Sequence, residues 1–123
     1  MFVPPAVLVV RDFLQDNLEV PVYHTVPRDH PNAYVRVTRS GGPLLNAATD
    51  KPLMTISCYH SDPFEAELLA NNCRAAMWRI KGQRVGDVWV RWWKETGGPV
   101  THPDPDVALT RYQFSGDLFL RIN

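Results

Sequence analysis

The stretch "PLMTISCYHSDPFEAELLANNCRAAM", residues 52–77, changes its apolar period halfway along, and that change decides the fold class. Through residue 60 the pattern repeats every second position. Met54, Ile56 and Cys58 share one face while Leu53, Thr55, Ser57 and Tyr59 share the other, which is how a strand sorts its side chains. After Asp62 the repeat becomes helical. Ala66, Leu69, Ala70, Cys73, Ala76, Met77 and Ile80 form one stripe, and their small members permit close approach to a sheet. Glu67, Asn71, Arg74 and Trp78 form the opposite, polar stripe. Asp62 is a good N-cap, Pro63 suits the first helical position, Glu65 completes an Asp-x-x-Glu capping box, and Gly82 can end the helix in a left-handed turn.

Upstream, "AYVRVTRSGG" (residues 33–42) reads as another strand, with Val35 and Val37 on one face and Tyr34, Arg36 and Thr38 on the other. Between these strands lies "SGGPLLNAATDK", long for a hairpin connection and tipped by Leu44 and Leu45, which have no evident core to enter. "VPVYHTV", residues 20–26, is a short strand that Pro21 assigns to an edge. Residues 5–18 form a first helix, opened by Pro4 and Pro5 and striped by Val7, Val10, Leu14 and Leu18.

Downstream, "VGDVWVRWWKETGG" alternates Val88, Val90 and Trp92 against Trp89, Arg91 and Trp93, so both faces carry large apolar groups. In the last segment Tyr112, Phe114, Leu118, Leu120 and Ile122 keep one face across Gly116, a bulge or bend between two half-strands. The expected architecture is one α+β domain in the order α-β-β-β-α-β-β, with a mostly antiparallel sheet and helices on one face.

Composition supports a single folded domain. The 123 residues are 45% hydrophobic and 21% charged, close to the average for globular domains. Thirteen cations balance thirteen acids, five against five through residue 60 and eight against eight beyond it, which argues against bulk attraction to nucleic acid or an anionic membrane. No apolar run approaches a membrane span, and "MFVPPAVLVVRDF" lacks the basic region and cleavage site of a secretory signal, so the expectation is a cytoplasmic product.

Chemistry-bearing motifs are sparse. Cys58 and Cys73 match no zinc or disulfide-rich spacing and read as buried thiols. His24, His30, His60 and His102 are scattered, no phosphate loop or nucleophile elbow is present, and the expectation is no enzyme, no cofactor and no metal. Exposed apolar groups are the stronger signal, because they mark contacts with partners. The candidate interface is Arg36, Arg39, Leu44, Leu45, Trp78, Trp89, Arg91 and Trp93. The plainer reading of Arg36, Arg39, Arg91 and Arg111 is that they solvate an outer sheet face.

"PNAYVRVTRSGG", then "DKPLMTISCYHSDPFEAELLANNCRAAM", an aromatic strand, "GGP" and a closing strand pair together resemble the tail terminator proteins of long-tailed bacteriophages, especially those of actinobacterial phages. That family has the same element order, a strand ending in Arg-x-Gly-Gly, and an aspartate before the strand leading to the alanine-rich helix. Here those positions are Arg39, Gly41, Gly42 and Asp50. The resemblance implies a virion protein with no catalytic residues. It would form a homo-oligomeric, sixfold ring on the tail tube protein, stop tube polymerisation and receive the head-closure or connector proteins. DNA would pass through it without sequence-specific binding, and no membrane would be involved. Two rivals stand beside it: another neck or head-closure protein, and a small-molecule binder or enzyme with a pocket flanked by Trp92, Cys58 and His60.

Overall fold

The computed structural model describes residues 1–101 and 104–123; His102, one of the scattered histidines, lies outside the described residues. Among these the chain runs α1 (Ala6–Asn17), β1 (Val22–Tyr23), β2 (Ala33–Arg39), β3 (Leu44–Asn46), β4 (Thr49–Asp50), β5 (Leu53–His60), α2 (Pro63–Trp78), β6 (Arg84–Val85), β7 (Val88–Thr101) and β8 (Thr110–Arg121). The class is the expected α+β. All pairings are antiparallel except β1 with β2, whose short parallel contact sits at the sheet edge.

The centre of the sheet is built from hairpins. β2 lies against β5 from Ala33↔His60 to Arg39↔Met54, and β3 lies against β4. Ser40 N–H donates to the Leu53 carbonyl (2.7 Å) and Leu53 N–H to the Gly41 carbonyl (2.9 Å), so the ladder crosses the break between these pairs. Residues 33–46 and 49–60 are therefore the arms of one interrupted hairpin. It turns at Ala47 and Ala48, where Asn46 Oδ1 accepts from the Ala48 amide at 2.8 Å. The expected loop over residues 40–51 is thus a correction: it is the far end of a hairpin. β8 takes β5 and β4 in succession on one flank and β7 on the other.

Both helices pack on one face. The α2 stripe expected from sequence is buried in full, from Ala66 to Ile80, against Met54, Ile56, Cys58, Phe114, Leu118 and Leu120. Each such large side chain contributes about 1.5–3 kcal/mol through burial. Asp62 caps α2 by accepting from Phe64 N–H at 3.2 Å. The reciprocal half of the capping box is different, because the Asp62 amide donates to His60 Nδ1 (2.9 Å) and not to Glu65. α2 ends at Trp78, and Gly82 (φ +77°) serves the next turn, in which Gln83 N–H reaches the Ile80 carbonyl.

α1 covers the other end of the same face through Val9, Val10 and Leu14. Its Gln15 side chain clamps β1, donating to the Val20 carbonyl (3.1 Å) and accepting from Val22 N–H (2.9 Å). On the face without helices, Tyr34 and Tyr59 are buried as a stacked pair with ring centroids 4.6 Å apart. The rest of that face is rich in hydroxyls: Ser40 and Thr55 share a 2.6 Å hydrogen bond, and Ser57 donates to Gln113 (3.1 Å).

Candidate interaction surfaces

The eight residues singled out from the sequence fall into distinct environments. Arg39 is exposed, yet its polar atoms are engaged within the chain. Its guanidinium donates to the carbonyls of Gly41 (3.1 Å) and Gly42 (2.7 Å) and pairs with Asp50 at 3.3 Å. Asp50 is 1% exposed, so Arg39 is the counter-charge that permits a carboxylate to be buried there. Gly42 completes the latch. With φ +91° it lies in a region that L side chains avoid, and a Cβ would run into the Lys51 carbonyl and stand 2.5 Å from the Leu53 amide nitrogen. The arms can therefore close on each other only at glycine.

This latch holds out the hairpin end that carries Leu44 and Leu45, both exposed, on a strand with no buried residue. Arg36 is also exposed, with its Nε donating to the His24 carbonyl at 3.3 Å.

The tryptophans divide differently from the strict alternation expected. The register of β7 shifts between Val90 and Trp92, so two residues of β7 answer one of β8 and the side-chain phase flips. Val90 and Trp93 go inward, and Trp89, Arg91, Trp92 and Lys94 all go outward. Trp93 is corrected: it is 8% exposed and belongs to the core, where its indole occupies the space Gly116 leaves. A Cβ at Gly116 would lie 2.5 Å from Trp93 Cη2 and 2.7 Å from the Lys94 carbonyl. Gly116 is not itself a bulge, since the irregularity lies opposite, in β7 between Glu95 and Gly97. Trp92, at 50% exposed, takes the surface place expected of Trp93. Lys81 Nζ sits 4.2 Å above its ring and Arg84 5.9 Å above that of Trp89.

Trp78 is 82% exposed on α2, as its place in the polar stripe requires. Phe64 and Leu68, towards the start of the same helix, are exposed too and were not singled out from the sequence. Their i, i+4 spacing, with Ala75 and Trp78 further along, places them within one arc of the helix, a signal present in the sequence. The groove between α2 and residues 17–20 has a volume near 560 Å³ and is lined by Leu18, Glu19, Val20, Glu65, Leu68 and Ala75 among others.

The residues considered for chemistry do not converge. Cys58 and Cys73 meet Sγ to Sγ at 3.7 Å in the core, and burial pushes the Cys58 thiol up, with the Cys73 contact adding to it. His60 lies at the end of β5 and lines the α2 groove, while Trp92 faces outward. Among the described residues no three His, Cys, Asp or Glu side chains group as metal ligands. A second cavity of about 340 Å³ lies over the tyrosine pair, between Arg28, His30, Arg36 and Asp104. Burial, with smaller contributions from Tyr59 and Asp104, pushes the Tyr34 phenol up to about 12. The Arg74 guanidinium, held by Glu95 through two hydrogen bonds of 2.6 and 2.8 Å, ties α2 to β7, and those bonds raise its pKa.

The chain matches no family model and no curated protein.

Proposed function

We propose that this protein is a structural assembly protein of the tail terminator type. On this reading it forms a ring, of six copies by the family resemblance, on the head-proximal end of a phage tail tube, halts tube growth and offers a surface to the head-closure proteins. DNA passes through the ring without sequence-specific contact, and the chain performs no catalysis. The observation that carries the reading is the latched hairpin. Arg39, Asp50 and Gly42 fix a hairpin end whose outer strand carries Leu44 and Leu45, both exposed and without a core of their own. An exposed apolar strand on a hairpin end that β8 holds in place is suited to a partner. Arg39, Gly42 and Asp50 are among the positions that carry the resemblance to the terminator family.

The second support is that apolar exposure recurs elsewhere, on α2 at Phe64, Leu68 and Trp78 and on β7 at Trp89 and Trp92. A ring subunit needs unlike surfaces for its two neighbours and more for the tube and the head. The test is to add purified protein to bare, growing tail tubes of the particle that encodes it. The reading expects elongation to stop and a collar of density to form at one tube end, with both effects lost when Leu44 and Leu45 are changed to serine. Tubes that grow unhindered and uncapped overturn it.

A further inference from the structure

The even charge balance of the two chain halves conceals a separation along α2. Residues 61–73 hold three acids, Asp62, Glu65 and Glu67, and no cation. Glu19 joins Glu65 in the groove beside the helix, and Phe64 and Leu68 are exposed among these carboxylates. Residues 79–94 hold five cations, Arg79, Lys81, Arg84, Arg91 and Lys94, against the single acid Asp87. The β7 bulge turns Arg91 and Lys94 to the same outer side as Trp89 and Trp92, over whose rings Arg84 and Lys81 lie. α2 has sixteen residues and so separates the two regions by roughly 24 Å.

Each region thus presents two large exposed apolar side chains beside charge mainly of one sign, acidic around Phe64 and Leu68 although Arg79 also lines the groove, and basic around Trp89 and Trp92 although Arg84 pairs with Asp87 at 3.1 Å. The ends of one helix cannot reach each other within a copy. We infer that the basic, tryptophan-bearing edge formed by Lys81, Arg84, Trp89, Arg91, Trp92 and Lys94 docks on the acidic α2 start of a second copy, around Glu19, Asp62, Phe64, Glu65, Glu67 and Leu68. The occupant is another copy because this chain itself supplies the complementary charge and the complementary apolar side chains. Opposed charge of this kind steers encounter and fixes orientation, while the Phe64, Leu68, Trp89 and Trp92 surfaces supply the desolvated centre. The contact is heterologous: every copy that uses its basic edge still offers an acidic one, so the arrangement propagates and closes when the rotation permits. Closure into a ring rests on the function proposed above; the pairing of the two surfaces does not.

The experiment uses charge reversal in the full chain. K81E/R84E and E65K/E67K change only exposed side chains, and circular dichroism melts equal to wild type establish that both variants fold. Mass is measured by sedimentation velocity at low and high salt. Wild type is expected to oligomerise and to weaken as salt rises. Each variant alone is expected to lose association by at least about tenfold. Mixed together they should recover oligomers, because the intact acidic end of one meets the intact basic edge of the other and the two reversed surfaces complement each other in turn. Rescue on mixing, where neither variant associates alone, is peculiar to a contact between these two unlike surfaces.

A wild type still monomeric at about 1 mM overturns the proposal. So do variants that oligomerise as wild type does. If K81E/R84E instead leaves the mass unchanged and weakens binding to a labelled DNA duplex, the basic edge serves nucleic acid and the self-contact is wrong. The two readings fail separately: an open filament built through these surfaces keeps the contact and removes the terminator function, whereas a closed ring indifferent to both reversals keeps the ring and removes the contact.

Discussion

Arg39 and Gly42 show how a two-residue arrangement can set the direction of a whole arm. Asp50 is buried, and without Arg39 its carboxylate has lost the ion pair that compensates for leaving water. Arg39→Ala is expected to cost about 2 kcal/mol, less than a fully buried pair because the guanidinium keeps contact with solvent. Gly42→Ala must pay both the left-handed backbone and the collision with the facing arm, so a loss of about 2–4 kcal/mol is expected. Urea denaturation measures both, and a Gly42→Ala change within about 0.5 kcal/mol of wild type contradicts the latch. Tyr34 gives a pH signature. Its neutral form is favoured by the fold, so between pH 10 and about 12 the unfolded chain has lost a proton that the folded chain retains. Stability should therefore be complete below pH 10 and fall as pH rises through 12, with Tyr34→Phe flattening that fall. Denaturation midpoints across this range, with tyrosinate absorbance followed in parallel, provide the check.

The elements differ in how openly the sequence declared them. α2 was legible almost residue by residue, because a 3.6-residue repeat over four turns leaves one face for the core. β2 and β5 were legible for the analogous reason at period two. β7 was not, since nothing in "VWVRWW" marks which residue the facing strand skips, and one skipped partner exchanges Trp92 for Trp93 at the surface. The far hairpin was hidden because β3 and β4 are three and two residues long and β3 is exposed throughout, which leaves no alternation to read. The i, i+4 spacing of Phe64 and Leu68 was legible as well, as an apolar arc outside the core stripe. Phe64→Ser combined with Trp78→Ser removes apolar groups that touch no core, so thermal stability should stay within about 0.5 kcal/mol of wild type. Oligomer formation should nevertheless weaken. A large stability loss, read by differential scanning calorimetry, would place these side chains in the fold and not at its surface.

At the scale of the molecule, the parts brought together are those that local pattern cannot announce. Phe2 and Asn123 exchange two backbone hydrogen bonds, β8 joins β4, β5 and β7 into one sheet, and the latch spans eleven residues between Arg39 and Asp50. The α+β class and the helices on one face followed from periodicity; the division of surfaces followed only from the register. That division leaves a neutral chain with an exposed apolar hairpin strand, an acidic helix start and a basic tryptophan edge, a set of surfaces suited to assembly. The most direct measurement is electron microscopy of particles assembled in host cells from which this chain alone has been deleted. Overlong tails that carry no filled heads are expected, because nothing stops the tube or receives the head. Tails of normal length detached from heads would assign the protein to the neck instead, and intact virions would contradict the account entirely.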